Sequence, residues 1–274
     1  MLRDTLIIAG DRLPGHPEQL QCQETTQIGK PGRKRSRLPP RRQALITGGT
    51  TGIGFGIATA MADAGYDITV TGLTEEQVAA VPERQHLSVV KLDVTSPESI
   101  AAVLAPFDEL AALINCAGVI FRDGAEYNIE TFQKVIDVNL TGTMRMCVGA
   151  HAKLAAARGA IVNTASMFSF FGGPLVPAYT ASKGGVAQLT KALAGAWATE
   201  GIRVNAIAPG WIATELTRSL VEDESRSAAI LGRTPAKRWG EPGDVGGAAV
   251  FLCSEAARFI TGTILPVDGG YSAV

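Results

Sequence analysis

The stretch Ala44-Leu45-Ile46-Thr47-Gly48-Gly49-Thr50-Thr51-Gly52-Ile53-Gly54, ALITGGTTGIG, decides the fold of this chain. A short apolar run suited to a buried strand enters a glycine-rich turn, and a helical pattern over Gly54 to Ala64 follows at once. Gly48, Gly52 and Gly54 permit a tight turn and close backbone approach, so that a pyrophosphate can rest on the amides opening the helix. The spacing is GxxxGxG, which departs from the usual GxGxxG fingerprint. A sharp strand-to-helix turn also needs glycine for structural reasons alone. What favours a nucleotide is the position of the turn, at the head of an alternating series of strands and helices.

Outward from this turn, short apolar runs predict strands at Ala44 to Thr47, Ile68 to Thr71, Leu87 to Leu92, Ala112 to Asn115, Ala160 to Thr164, Arg203 to Ala208 and Thr263 to Val267. Helical periodicity predicts Gly54 to Ala64, Glu75 to Val81, Glu98 to Leu104, Ile129 to Ala157, Ala178 to Thr199 and Asp244 to Ser254. Strands alternating with helices imply an α/β fold, a doubly wound parallel sheet of about seven strands with helices on both faces. The ligand site of such a sheet lies at the carboxyl ends of the strands, where strand order reverses.

The chain has 274 residues, 46% of them apolar, which is enough for one sizeable core over residues 43–274. A formal net charge of −1 gives no bulk attraction to nucleic acid or to an anionic membrane, and no apolar run is long enough to span a bilayer. These balances favour a small-molecule ligand. Cys22, Cys116, Cys147 and Cys253 are scattered without CxxC spacing and read as thiols of a reducing compartment, so the expected location is cytoplasmic. His16, His86 and His151 form no ligand pattern, and no metal is expected. Met1 to Arg42, ending in KPGRKRSRLPPRR, reads as a flexible basic extension (residues 1–42), since Asp4, Asp11, Glu18, Glu24 and the prolines disfavour an amphipathic presequence.

In YTASK, Tyr179 and Lys183 stand four positions apart at the head of a long helical pattern and share one helix face. A free phenol has a pKa of about 10. A fixed cation beside it stabilises the phenolate and lowers that value, so the pair is expected to exchange protons with a hydroxyl or carbonyl. Taken alone, the spacing describes only a half-buried Tyr beside a solvated Lys. Ser166, thirteen positions earlier and just past a strand, is expected to face the same cleft. Asn139 interrupts an apolar helical stretch, where its amide needs partners, and a structural hydrogen bond to a neighbouring strand explains it as well as a functional role does.

The adenosine ribose is expected beside Thr51, Gly72 and Leu73. No acid stands there to hold the 2′-hydroxyl of NAD and no arginine to meet the 2′-phosphate of NADP; Glu75 and Glu76 would repel a phosphate, so NAD is favoured over NADP. Asp93 is placed to meet the adenine amino group, or equally to cap the helix after Pro97. Asn115-Cys116-Ala117-Gly118 offers a small-residue edge for a flat cofactor. After Pro209-Gly210 the next thirty residues carry many charges and little periodicity, and are expected to form a mobile lid over the substrate. Trp211 either packs on that lid or touches substrate.

With TGGTTGIG, NCAG, Asn139, Ser166, YTASK, the Pro-Gly turn and the terminal VDGG in this order, the chain from Gln43 to its end resembles the classical short-chain dehydrogenases/reductases. The resemblance implies a Rossmann-fold enzyme, usually a homotetramer, that uses NAD or NADP. By motif, Tyr179 is expected as the acid/base, Lys183 as the ligand of the nicotinamide ribose, Ser166 as the group orienting the substrate oxygen, and Asn139 as the holder of a water relay. Gly48, Gly52, Ile53, Gly54, Asp93, Val94, Asn115, Ala117, Gly118, Pro209, Gly210, Ile212 and Thr214 are expected to line the cofactor. Two departures stand out. Cys116 replaces a usual Asn or Ala, and the Asp93 to Asn115 connection is short, which puts the length of its helix in question. PGWIATEL (209–216) and EDESRSAAILGRTPAKRWGEP (222–242) resemble the sugar-acid, gluconate and deoxygluconate, dehydrogenases, with acyl-carrier-protein ketoreductases as the alternative. A catalytically silent dinucleotide-binding sensor or scaffold is the non-enzyme alternative, against which the retained Ser, Tyr and Lys argue.

Overall fold

In the computed structural model the described residues are 41–274, so the expected extension lies outside them, together with Cys22 and His16, except for Arg41 and Arg42. Seven strands form one parallel sheet: β1 (Arg42–Thr47), β2 (Tyr66–Gly72), β3 (Leu87–Lys91), β4 (Ala112–Asn115), β5 (Ala160–Thr164), β6 (Arg203–Pro209) and β7 (Ile264–Val267), in the order β3-β2-β1-β4-β5-β6-β7. Strand order reverses between β1 and β4, which opens a crevice at their carboxyl ends. This is the Rossmann-type doubly wound arrangement.

Alternation along β1 assigns its two faces. Ala44 and Ile46 enter a core layer with Ile57 and Met61 of α1 (Gly52–Asp63) and Val245, Ala249 and Leu252 of α9 (Pro242–Cys253). Leu45 points the other way, toward Ile100 and Leu104 of α3 (Pro97–Leu104), Met146 and Leu154 of α5 (Gly142–Ala157), and Leu193 of α6 (Pro177–Trp197). A parallel sheet covered on both faces explains why its strands read as unbroken apolar runs.

The expected helix Ile129 to Ala157 is continuous but not uniform. It runs through α4 (Ile129–Ile136), a π-helical turn over Asp137–Thr141 that contains Asn139, and then α5. A short helix α2 (Glu75–Ala79) follows β2. The short connection shows as an α3 of eight residues. Its cap is Ser96, which accepts from Ser99 N, so the alternative of an Asp93 cap is corrected. The carboxylate of Asp93 instead accepts from Thr95 N and Thr95 Oγ1 at 2.8 and 2.7 Å.

The expected lid holds more regular structure than its sequence suggests. It contains α7 (Arg218–Val221) and α8 (Glu224–Arg233), the latter capped by Asp223, whose side chain accepts from Arg226 N. No residue of α8 is buried, and Ile230 and Leu231 are its large apolar side chains, so the broad apolar stripe of a core helix is missing. Among the described residues, no helix is long and apolar enough to cross a membrane.

Candidate active site

The glycine turn after β1 is shaped by contacts. Gly48 has φ of +61°, and a Cβ there would lie 2.8 Å from the Ala117 Cα. A Cβ on Gly54 would lie 2.2 Å from the Gly48 carbonyl oxygen. A side chain at Gly48 would push the turn off the β4 edge, and one at Gly54 would push the start of α1 off the turn. Thr47 Oγ1 fixes that edge by accepting from Cys116 N and Ala117 N, each at 3.1 Å. Thr51 precedes α1 without a side-chain cap, and the first turn of α1 holds no acid. The amides and dipole there suit an anion, so these residues fit the pyrophosphate of a dinucleotide.

At the next strands the expected cofactor residues divide. Leu73 lies at the end of β2, half exposed, with its amide donating to Gln77 Oε1 at 2.7 Å, and Gly72 pairs in register with Lys91. Val94 is buried in the layer with α5. The Asn115 side chain also turns into the core, where its Nδ2 donates to Asn163 Oδ1 at 2.9 Å and Cys147 Sγ at 3.4 Å, while Asn115 Oδ1 has no partner among the described residues. Only the backbone of Asn115 is left for the crevice. Ala117 and Gly118 continue along its edge, and a Cβ on Gly118 would stand 3.2 Å from Asn139 Oδ1 and 3.7 Å from Lys183 Nζ.

Three elements converge beyond β4, β5 and β6. Ser166 caps a single turn over Met167–Ser169 after β5. Tyr179 and Lys183 project from the start of α6. A cavity of about 400 Å³ is lined by Ser166 and Tyr179, by Ile53, Pro209, Gly210, Ile212 and Thr214 from the expected cofactor side, and by Trp211. Trp211 packs edge-on against Phe168, Trp239 and Tyr271, and its Nε1 is buried without a partner among the described residues. It therefore borders the cavity and supports the lid at once.

Asn139 is fully buried and pins the chain that leaves β4. Its Oδ1 accepts from Val119 N at 2.7 Å, and its Nδ2 donates to Val119 O at 2.9 Å and Ser182 Oγ at 3.1 Å. Ser182 Oγ in turn donates to Tyr179 O at 2.7 Å. The hydrogen bond considered as a structural explanation is thus present, made to the segment just past the strand. A π turn in the middle of a helix, where this amide is anchored, is a common sign of a functional site.

The electrostatics correct one expectation. Lys183 Nζ donates to Thr164 O at 2.6 Å and lies 5.5 Å from the centroid of the Tyr179 ring. Burial pushes this ammonium down to about 8, against an opposing contribution from Cys116. The Tyr179 phenol is not lowered as expected. Burial pushes it up, Glu126 adds to the rise, and the Ser166 hydroxyl and Arg122 only oppose it. Desolvation disfavours the phenolate more than the neighbouring donors favour it.

Sequence reasoning missed two residues here. Glu126 is fully buried and its carboxylate accepts from Phe121 N at 3.0 Å and Tyr179 N at 2.8 Å. Ser182 is buried between Asn139 and Tyr179. Neither carries a local signal, because the partner of Glu126 on α6 is distant in the chain and Ser182 resembles any small helical residue.

A family profile described as enoyl-(acyl carrier protein) reductase matches residues 48–272. The chain belongs to the short-chain dehydrogenase/reductase family. It is an NAD(P)-dependent oxidoreductase of this family. It is 47% identical over 240 residues to 2-dehydro-3-deoxy-D-gluconate 5-dehydrogenase of Bacillus subtilis (strain 168), covering 84% of this chain and 94% of the relative. To 5-keto-D-gluconate 5-reductase of Escherichia coli (strain K12) it is 35% identical, again over 84% and 94%. A gluconate 5-dehydrogenase from Burkholderia cenocepacia J2315, solved in complex with NADP and tartrate, superposes with a TM-score of 0.80 at 34% identity, covering 85% of this chain and 96% of that one.

Proposed function

We propose that this short-chain dehydrogenase/reductase interconverts a secondary alcohol and a ketone on a small sugar acid, with Tyr179 as acid/base. The observation that carries the proposal is the shared cavity, in which Ser166 and Tyr179 meet Arg122 and Arg226. A hydroxyl-bearing carbon at the first pair leaves a carboxylate for the arginines, whose fork suits it. The names of the relatives point to the same substrate class.

NAD(P), when bound, accepts the hydride during alcohol oxidation and supplies it during ketone reduction. In oxidation, Tyr179 as phenolate takes the hydroxyl proton; in reduction, the phenol returns it to the nascent alkoxide. Ser166 orients the reacting oxygen. Lys183, anchored on Thr164 O, holds the ribose hydroxyls, and Asn139 fixes the edge after β4 while supporting the water relay. The glycine turn and α1 hold the pyrophosphate; Gly52, Ile53 and Thr214 enclose the nicotinamide half.

For the cofactor we favour NAD, because Thr50, Thr51, Gly72, Leu73 and Thr74 include no cation. Lys91, next to Gly72 in register, is the basic side chain that sequence reasoning overlooked, and its Nζ is held by Glu75 at 3.3 Å. The NADP complex of the Burkholderia relative argues for the phosphorylated form. A homotetramer is supported by exposed apolar side chains on separate faces, Met144 and Val148 on α5, and Phe251 on α9 with Phe259 beyond it. A cytoplasmic location and a domain covering 43–274 complete the reading.

Ile120, Leu175, Leu216, Leu220 and Ile230 also line the cavity, and this apolar wall favours β-ketoacyl thioester reduction as a second reading. A panel of sugar acids, polyols and β-ketoacyl thioesters, followed by nicotinamide absorbance with each cofactor, tests both. Highest kcat/KM on a sugar acid supports the first. Preference for the thioester establishes the second.

A further inference from the structure

We propose that Glu126 is the positioning residue of the acid/base. Its carboxylate joins the loop after β4 to the first turn of α6 and holds Tyr179 at its working place. The inference rests on Tyr179 being the acid/base.

The geometry is specific. α6 begins with Pro177 after Val176, and Val176 provides no side-chain cap. A helix start leaves several backbone N–H groups without partners. Glu126, from a single 3-10 turn over Ala125–Tyr127, supplies the missing acceptor: Oε2 takes the Tyr179 N–H at 2.8 Å. Its other oxygen takes the Phe121 N–H at 3.0 Å, so one fully buried carboxylate spans two segments that both border the cavity. Phe121 is followed by Arg122, which lines the cavity, and Val119, two residues before it, is held by Asn139. The carbonyl side of Tyr179 is tied through Ser182 to the same Asn139. Thus the backbone of Tyr179 is gripped at both ends, and Glu126 is the end that carries charge.

That charge also acts on the phenol. The groups facing Tyr179 are Lys183 from its own helix, Ser166 from the turn after β5, and Arg122 and Glu126 from the segment after β4; Arg226 of the lid shares the cavity. Of these, Glu126 is the one that raises the phenol, in the same direction as burial. A carboxylate here keeps the proton on Tyr179 to higher pH, which suits donation to a ketone. A purely structural cap would have no such consequence.

Two substitutions separate position from charge. Glu126→Gln keeps the shape, loses the charge, and leaves one N–H facing an amide NH2 group. Glu126→Asp keeps the charge on a shorter arm that cannot reach both N–H groups. In steady-state kinetics of alcohol oxidation, with cofactor affinity measured by fluorescence titration, both variants are expected to lower kcat by about 10- to 100-fold, the scale of a small misplacement at a reacting centre. Their cofactor affinity should stay within about threefold, because uniform binding is untouched. In the Gln variant the rising limb of the pH profile should move to lower pH, because a charge that disfavours the phenolate is gone. In the Asp variant the limb should stay in place. If Gln does not fold, the Asp variant decides alone: a lowered kcat with an unmoved limb supports the proposal, and wild-type kcat overturns it. Wild-type kcat and limb in the Gln variant, or parallel losses of kcat and cofactor affinity with an unmoved limb, also overturn it. Activity surviving in Tyr179→Phe would instead remove the acid/base reading beneath it.

Discussion

The ammonium of Lys183 meets Tyr179 at the face of its ring, 5.5 Å from the centroid, while its hydrogen bond goes to the Thr164 carbonyl at 2.6 Å. The two side chains share one helix face, as their spacing requires, but the cation is fixed to the sheet. Burial then dominates both groups, pushing the phenol up and the ammonium down to about 8.

Tyr179→Phe removes the proton carrier and leaves the ring that packs against Phe168. Turnover on the true substrate should fall by at least about 10²-fold, within the range general acid/base groups supply, with cofactor affinity nearly unchanged. Stopped-flow turnover and a fluorescence titration of the cofactor check this. More than a tenth of wild-type activity in the variant would falsify the assignment.

The two directions should depend differently on pH. Because the phenol is pushed up from its ordinary value of 10.0, it is protonated throughout the neutral range. Ketone reduction, which needs the phenol, should be nearly flat between about pH 6 and 7, below the range in which Lys183 loses its proton. Alcohol oxidation, which needs the phenolate, should keep rising above that range. Initial rates at constant ionic strength decide the matter, and an oxidation optimum below neutrality would contradict the direction of the shift.

Buried thiols make a separate prediction for stability. Burial pushes Cys116 up to about 11, and Cys147 and Cys253 up to about 12, from 9.0. With the folded values raised, the unfolded chain loses these protons first, so their stabilising contribution is complete below about pH 9 and declines as pH rises toward 12. Melting temperature should therefore drop across that alkaline window, and Cys147→Ala should shallow the slope. A melting temperature that rises from pH 9 to 11 would show that other groups outweigh the thiols.

Cofactor choice is read at the end of β2. kcat/KM should be higher with NAD than with NADP, since a 2′-phosphate brings about two negative charges to Gly72 and Leu73, near Glu75 and Glu76. Leu73→Arg should raise NADP use, and Lys91→Ala should lower whatever NADP use the wild type has. A higher kcat/KM for NADP in the wild type would reverse the preference and make Lys91, released from Glu75, the group to test next.

A chain shortened to begin at Arg41 should keep fold, assembly and activity. Arg41 Nη1 donates to Tyr66 O at 3.2 Å, Arg42 stacks over the Tyr66 ring at 4.5 Å, and the core layers on both faces of the sheet are built from Ala44 onward. Circular dichroism, light scattering and the turnover assay would reveal any loss.

The alternation of seven strands with helices, and a ligand crevice at the carboxyl ends of the strands, were already implied by the sequence, because the elements rest on local signals; the order of the strands came from their pairing. Apolar runs marked all seven strands within a few residues, and the Thr47 to Gly54 turn identified the first strand-to-helix crossing. Ser166, Tyr179 and Lys183 were legible for the same reason: each follows a strand or opens a helix at the carboxyl edge of the sheet, where a parallel fold puts its chemistry. What required tertiary structure was everything decided by distant neighbours. The direction of the Tyr179 shift depends on how much surrounding atoms exclude water, not on the spacing to Lys183. Asn115 faces the core because the register of β4 and β5 sets it beside Asn163. Lys91 comes next to Gly72 through strand pairing. α8 is mostly polar or small residues, opens on its Asp223 cap and turns only a narrow edge with Ile230 to the cavity, so no broad apolar stripe announces it. The contact of Glu126 with Tyr179 joins segments far apart in the chain, and only the folded sheet brings that carboxylate to the start of α6.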